Sequence, residues 1–569
     1  MPTVAEVLAA TLRDAGIERM YGLPGGEILD FIEAARKAGI EFILVRHEAV
    51  AAFMADVSGQ IERKPGVCVS TLGPGAMNLT LGVANAYLDR SPLIAVTATM
   101  STAAAPYATH QQLDLNDVFR PFTKQTVTLD GVNTAATVRH LWQTAMTPRF
   151  GPVHIALPSD VARQTDRQAE DPRMVALAPD PPPAPRADAV ARMADELARA
   201  KRPVVILGLD LDPRTVPEAV RRFVERLGAP VFSTPKAKGI FPEDHPQFFG
   251  ICSGLAADAV IVDFFKQADL LVGVGFDPVE SDKVWHQTMK LVSIAPVSIA
   301  AGQYRPALEL IGDPAAALTA LSERQYGPLE WTSADERRFR DALEAALQGR
   351  DARARQEGQE GQEGQEGREG QEGQEGQEGQ EGQEKTDGLS ALAVTRRLRE
   401  LFPPETIVST DVGSIKLIVS QAWRSTRPMT FLESNGLSAM GYGLPAAMAA
   451  KLAMPDRPVL CTMGDGGFSM VFADLETCVR RRIPFVTVVY NDATLSLIQV
   501  AQAKRGYTDY GVRYGAIDFA AASAALGAWS RRVSTLEELD AAVTAARAHD
   551  GPAVIEVPID PAEYHAHAR

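Results

Sequence analysis

Residues 461–494 run an apolar stretch into Gly464-Asp465-Gly466-Gly467 and then into a helical pattern. A glycine-rich turn at a helix N-terminus presents free backbone N–H groups to a phosphate, and the helix dipole favours the anion. Asp465 adds a hard oxygen ligand, and Asp492, 27 residues further on and just past the next apolar run, adds a second. Two carboxylates with phosphate and water suit Mg2+, so the spacing predicts a diphosphate held through a metal. Gly-Asp-Gly is also an ordinary turn sequence, and the glycines alone do not separate the two readings. A second candidate is Glu48, in VRHEAVAAFMAD, at the junction of a strand pattern and an Ala-rich helical stretch. A carboxyl group in an apolar pocket, short of water, can share a proton with a ring nitrogen. Its structural alternative is a helix-start glutamate stabilised by the dipole.

The elements that must position these residues read as three α/β units. In residues 1–170, EFILVRH, GVCVSTLG, PLIAVTAT and GPVHIALP alternate with helical patterns, which predicts a parallel sheet. The Pro-rich stretch at residues 178–188 breaks regular structure and marks a boundary. A second set follows over 189–330, with strands in PVVILGL, PVFST, LLVGVGF and KLVSIAP. Residues 345–388 contain a three-residue Gln-Glu-Gly repeat with nothing to bury, and are expected to be a solvated linker. The third unit, 389–569, carries TIVSTD, PVLCTMGDG, PFVTVVYND and AVIEVPID. The expected fold is three doubly wound parallel-sheet domains, with ligands outside the carboxyl ends of the strands.

Composition narrows the function. The 569 residues suit three or four domains with real cores, and no apolar run approaches the length needed to span a membrane. The formal charge is -15, but the ten Glu and one Arg of residues 356–384 account for most of it; without them 62 acidic residues face 56 basic ones. No basic stripe is available for nucleic acid. The four cysteines, Cys68, Cys252, Cys461 and Cys478, have no CxxC spacing, and the start MPTVAEVLAATLRDAG lacks the apolar core of a secretion signal. A reduced, cytoplasmic protein is expected.

The run from Gly464 to Thr494 resembles the thiamine-diphosphate motif of the acetolactate synthase and pyruvate decarboxylase superfamily, in which Gly-Asp-Gly is followed about thirty residues later by an Asn-Asn or Asp-Asn pair. Here the pair reads Asn491-Asp492, and carboxylate for amide keeps an oxygen ligand. The resemblance covers nearly the whole chain, in the order pyrimidine-binding, central and diphosphate-binding domain, and implies thiamine diphosphate and Mg2+ as cofactors. By it, Asp465, Asp492 and the carbonyl of Thr494 hold the metal, while Gly464, Gly466, Gly467 and the Ser414 hydroxyl border the diphosphate. Met440, in SNGLSAMGYGLPAA, becomes the bulky residue that keeps the cofactor bent; without its flanking glycines it would read as a core methionine. Gly25 and Gly26, with Gly73, Pro74, Gly75 and Asn78, form turns where a missing side chain lets a ring approach the backbone. By the same resemblance Glu48 would contact the pyrimidine ring and start the reaction. Family members build their sites between the first domain of one subunit and the third of another, so the resemblance implies a homodimer or homotetramer.

Within the superfamily the chain resembles the carboligases. Decarboxylases generally place paired histidines near the cofactor, whereas ATHQQLDLNDVFRPFTK offers only His110, followed by Gln111. That segment looks like the FAD-independent acetolactate synthases and carboxyethylarginine synthase. Where biosynthetic relatives read approximately ARFDDR, this chain has Gly275 and Val279 in place of the arginines, and their ketobutyrate-selecting tryptophan aligns with Ala501. These departures count against FAD, against isoleucine-precursor specificity and against a regulatory small subunit. The reaction implied is decarboxylation of pyruvate and addition of the remaining two-carbon unit to a second 2-ketoacid, releasing 2-acetolactate, with Gln111 and His110 orienting the acceptor. The alternatives are a non-oxidative 2-ketoacid decarboxylase or a carboligase with another acceptor.

Overall fold

The computed structural model describes residues 1–168, 177–178, 181–253, 257–281, 289–301, 304–348 and 388–564. Among the described residues eighteen strands form three six-stranded sheets, and every named pair is parallel. The first sheet contains β1 (Arg19–Leu23), β2 (Glu41–Leu44), β3 (Gly66–Ser70), β4 (Leu93–Thr99), β5 (Gln125–Thr128) and β6 (Pro152–Pro158), in the order β2-β1-β3-β4-β6-β5. The second contains β7 (Pro203–Leu207), β8 (Val231–Ser233), β9 (Phe248–Ile251), β10 (Leu270–Val274), β11 (Leu291–Ala295) and β12 (Leu308–Ile311), in the order β12-β11-β10-β7-β8-β9. The third contains β13 (Ile407–Thr410), β14 (Phe431–Glu433), β15 (Val459–Gly464), β16 (Val486–Asn491), β17 (Trp529–Arg532) and β18 (Ala553–Pro558), in the order β14-β13-β15-β16-β18-β17. The first and third sheets thus share one topology, and the middle sheet has another.

Central strands of these sheets are buried at nearly every position and mostly apolar because both faces are covered. Val67 and Val69 enter the core on one face of the first sheet, while Cys68 enters the core on the other, the period of two expected of a strand. The same holds in the third sheet, where Cys461 and Met463 face one core and Leu460 the other. One of these cores is common to the first and third domains: the Ala-rich helices Glu48–Glu62 and Gly443–Ala453 pack together, with Phe53 edge-on to Tyr442 at 5.7 Å between centroids.

The helix Ser333–Gln348 extends past residue 345, where the sequence suggests the repeat-bearing linker starts; residues 349–387 of that linker lie outside the described residues. All four cysteines are free and buried. Among the described residues no helix is long and apolar enough to cross a membrane.

Candidate active site

The carboxyl ends of β15 and β16 bring Asp465 and Asp492 together. Asp465 opens the seven-residue helix Asp465–Val471, too short for a strong dipole, so side chains must do most of the holding. Its Oδ1 accepts from Gly466 N and from the Tyr514 hydroxyl, both at 2.7 Å, and its Oδ2 accepts from Ala493 N at 2.7 Å. Asp492 accepts from Thr494 N at 3.0 Å and from Ser496 Oγ at 2.6 Å. Burial and then the charge of Asp465 push the Asp492 carboxyl up to about 7; burial also raises Asp465, against the bonds from Tyr514, Gly466 and Ala493. Two crowded carboxylates that resist ionising together are a donor set that a divalent cation would stabilise. Among the described residues no group of three or more His, Cys, Asp and Glu side chains gathers, so such an ion must complete its shell with backbone, phosphate and water oxygens.

The neighbouring strand β13 leads to a polar group without a partner. Ser414, the first residue of the helix Ser414–Ala422, is buried, and its Oγ has no hydrogen-bond partner. A buried hydroxyl left unpaired is costly, and a ligand oxygen would satisfy it. Gly467 cannot be anything else, since a Cβ there would lie 1.7 Å from Asp411 Oδ2. A Cβ on Gly466 would meet Tyr514, Leu495 and the Met440 methyl at 3.1, 3.2 and 3.4 Å, which puts Met440 beside the turn. Gly464 is less constrained, with Ile415 at 3.9 Å as the nearest neighbour of such an atom. Of the Asn491-Asp492 pair only Asp492 faces Asp465: Asn491 donates to Ile517 O and Glu556.

The first domain supplies a second cluster at the ends of β2 and β3. His47 caps the helix Glu48–Glu62 by accepting from Ala49 N, and Glu48, the first helical residue, is buried. Its Oε2 accepts from Asn78 Nδ2 at 2.9 Å, and a Cβ on Gly75 would come within 3.0 Å of its Oε1. Gly73 has φ +60 and begins the turn into the helix Pro74–Leu88; the Gln111 side chain lies against it, 3.1 Å from where a Cβ would be. Gln111 and His110 are both exposed. Gly25 has no room for a side chain because Thr71 occupies it, whereas Gly26 faces open space.

The predicted residues therefore form two groups, and no hydrogen bond among them runs from one group to the other. The bonds of Glu48 and Asn78 close within the first domain, and those of Asp465 and Asp492 within the third. A cavity of about 670 Å3 lies elsewhere, between the middle and third domains, lined by residues such as Phe249, Arg340, Arg396 and Arg399. Three residues beside the third-domain group escaped sequence reasoning. Tyr514 lies 49 positions from the carboxylate it bonds, with no motif around it. Asp411 accepts from Gly441 N, Tyr442 N and Gly443 N at 3.1, 2.8 and 3.2 Å, fixing the backbone just after Met440. Lys416 donates to Ser434 O at 2.8 Å, on the other side of Met440. An acid at the end of a buried strand was the only signal for Asp411, and the sequence reads that turn for Ser414 alone.

The residues matched to FAD-assisting arginines sit at the reversal of strand order between β7 and β10. Gly275 has φ +62, and a Cβ there would lie 2.4 Å from Leu211 Cγ. The buried Glu280 accepts from Leu209 N at 2.8 Å, and burial pushes its carboxyl up to about 8. Asp277 pairs with Arg90 at 2.7 Å and Arg149 at 3.0 Å. Residues 282–288 lie outside the described residues.

Two sheets of one topology with a third of another between them in the chain, and acids at strand ends, define a three-domain α/β class whose ligands sit at the carboxyl ends of the strands. Comparison with known proteins makes this specific. Residues 2–118 match the thiamine pyrophosphate enzyme N-terminal TPP binding domain, 190–321 the central domain and 411–557 the C-terminal TPP binding domain of that family. The chain is 30% identical to an acetolactate synthase of Bacillus subtilis (strain 168), covering 98% of this chain and 93% of that protein. It is 29% identical to a catabolic acetolactate synthase of Raoultella terrigena, covering 98% and 95%. The fold is shared with a crystal structure from Mycobacterium smegmatis whose protein was assigned to the thiamin diphosphate-dependent enzymes, with a TM-score of 0.78, 23% identity and coverage of 98% and 99%. The chain belongs to the thiamine-diphosphate-dependent enzymes, in the acetolactate synthase family.

Proposed function

We propose that this enzyme is a carboligase of the acetolactate synthase type that decarboxylates pyruvate and joins the two-carbon remainder to a second 2-ketoacid, giving 2-acetolactate. The observation that carries the reading is the pairing of Asp465 with Asp492 beside the unpartnered buried hydroxyl of Ser414 and the methyl of Met440. These residues fit a diphosphate and its metal. Asp465, Asp492 and the Thr494 carbonyl would hold Mg2+, Ser414 and the backbone of Gly464, Gly466 and Gly467 would border the diphosphate, and Met440 would support the rings. Bound thiamine diphosphate supplies the electron sink that lets a 2-ketoacid lose CO2 and its remaining carbon attack another carbonyl.

The chain's own residues do the rest. Glu48, buried and steadied by Asn78, would hold a proton at the aminopyrimidine; Gly26, with open space before it, would let that ring approach the backbone, whereas the space at Gly25 and Gly73 is taken by Thr71 and Gln111. Gln111, seated against Gly73, and the neighbouring His110 orient the acceptor. The two groups act together when the first domain of one subunit meets the third domain of a second, in a homodimer or homotetramer. Exposed Met77, Leu81, Tyr107 and Leu113 around the first group, and Met470, Ile498 and Tyr510 around the second, are apolar surface suited to that contact. The departure at position 275 counts against flavin, since Leu211 leaves no space there for the arginine of the biosynthetic relatives.

Purified protein given thiamine diphosphate, Mg2+ and pyruvate without FAD should release CO2 and acetolactate. Acetaldehyde as the sole product would make it a decarboxylase, and neither product would mean another donor or acceptor.

A further inference from the structure

Met440 stands between two anchored stretches of backbone. On its C-terminal side Asp411 holds Gly441, Tyr442 and Gly443. On its N-terminal side the turn from Ser434 to Ala439 is closed by Ala439 N donating to Ser434 Oγ at 2.8 Å, and Ser434 Oγ in turn donates to Asn85 Oδ1. The carboxylate of Asp89, just past the helix Pro74–Leu88, takes Gly436 N at 2.7 Å and Asn435 N at 3.3 Å on Oδ1. Gly436 runs so close to that helix that a Cβ would lie 2.7 Å from Leu88. The other oxygen of Asp89 is met by Lys236 Nζ at 3.1 Å, and the same ammonium donates to Gln60 Oε1 at 2.9 Å and Glu433 O at 3.1 Å. Lys236 belongs to the middle domain, Gln60 and Asp89 to the first, and Glu433 to the third, so one buried ammonium ties all three at the root of the Met440 segment.

We propose that Lys236 is a positioning residue of the middle domain, which sets the place of Met440 under the cofactor by orienting Asp89 against the Asn435-Gly436 turn. The chemistry requires a cation there. Asp89 and Asp56 are both buried, and Asn85 Nδ2 bonds both of them, at 2.7 Å to Asp56 and 3.3 Å to Asp89. Burial and the charge of Asp89 push Asp56 up to about 6, and Lys236 opposes that rise. Without the ammonium, Asp89 is a buried unpaired charge that must find water or turn away, and the two amides it holds are released. The middle domain then has a task at the site although none of its atoms needs to touch the cofactor.

This proposal rests on the thiamine-diphosphate reading, and a double-mutant cycle separates the two. The dissociation constant of thiamine diphosphate, with Mg2+, is measured by calorimetry for the wild type, Lys236→Met, Met440→Ala and the double variant, alongside the melting temperature of each. Lys236→Met is expected to weaken binding about tenfold, and the double variant to bind no more weakly than Met440→Ala alone. Effects on affinity that add, or a Lys236→Met that lowers only the melting temperature, overturn the positioning role. Where Lys236→Met does not fold, the cycle is run on Lys236→Met/Asp89→Leu, which removes both charges and the acceptor together, with the same expectation. A wild type that binds no thiamine diphosphate overturns the functional reading itself, whereas a wild type that binds it with additive variants overturns only the role of Lys236.

Discussion

In the first domain β3 runs into Gly73-Pro74-Gly75, and in the third β15 runs into Gly464-Asp465-Gly466-Gly467, at the same place in the same strand order. The second strands correspond as well: β2 leads to Glu48, and β14 leads through the Ser434–Ala439 turn to Met440. One topology therefore presents two chemistries. Where the third domain has an acid the first has a proline, and where the first has an acid the third has a thioether. The shared fold determines where a loop emerges, and the residue placed there decides what chemistry the loop can offer. The paired helices Glu48–Glu62 and Gly443–Ala453 show the same kinship in the core, where Ala-rich surfaces let them pack closely.

The comparison can be broken hardest at Glu48. Glu48→Gln should lower turnover about a thousandfold while thiamine diphosphate still binds; steady-state kinetics and calorimetry on one preparation check this, and full activity in the variant would remove the assignment. At the loop after β15 in the third domain, Asp465→Ala should instead weaken Mg2+-dependent cofactor binding about a hundredfold. Unchanged affinity at saturating Mg2+ would show that the two loops are not divided in this way. Glycines at the two turns should differ too. Gly467→Ala forces Asp411 aside and should cost about 2 kcal/mol of unfolding free energy in denaturant titrations, while Gly26→Ala, with open space before it, should stay within about 0.5 kcal/mol. The smallest effect is expected at Asp492→Asn, which keeps an oxygen ligand and relieves the repulsion from Asp465; the apparent Mg2+ constant should move by less than about tenfold.

Much of this was legible before any coordinates. The strands read from sequence are mostly the inner ones, whose two buried faces demand continuous apolar runs, as in β4 and β15. The strands the sequence did not reveal include β5, β9, β12, β14 and β17, all at sheet edges, where a half-exposed strand such as Gln125–Thr128 or Trp529–Arg532 carries polar residues. β1 is the inner exception. Its run is interrupted by Gly22, and the reason for that glycine, Val69 O at 2.3 Å from where a Cβ would be, lies 47 residues away in the neighbouring strand.

The site divides along the same line. Asp465, Asp492 and Glu48 could be found from sequence because each stands at a strand end with its meaning carried by near neighbours and a countable spacing. Tyr514, Asp411, Asp89 and Lys236 could not, because what each does is decided by a partner far along the chain. By itself the sequence determined three α/β units and the placing of Asp465, Asp492 and Glu48 at strand ends, since these follow from local periodicity and residue type. Only the tertiary structure decided that no hydrogen bond joins the two groups of site residues within one chain, that Ser414 is left buried and unpaired, and that an ammonium of the middle domain sits where all three domains meet. A buried charge takes its role from whatever the fold brings within about 3 Å of it, and that distance is not written in any one stretch of sequence.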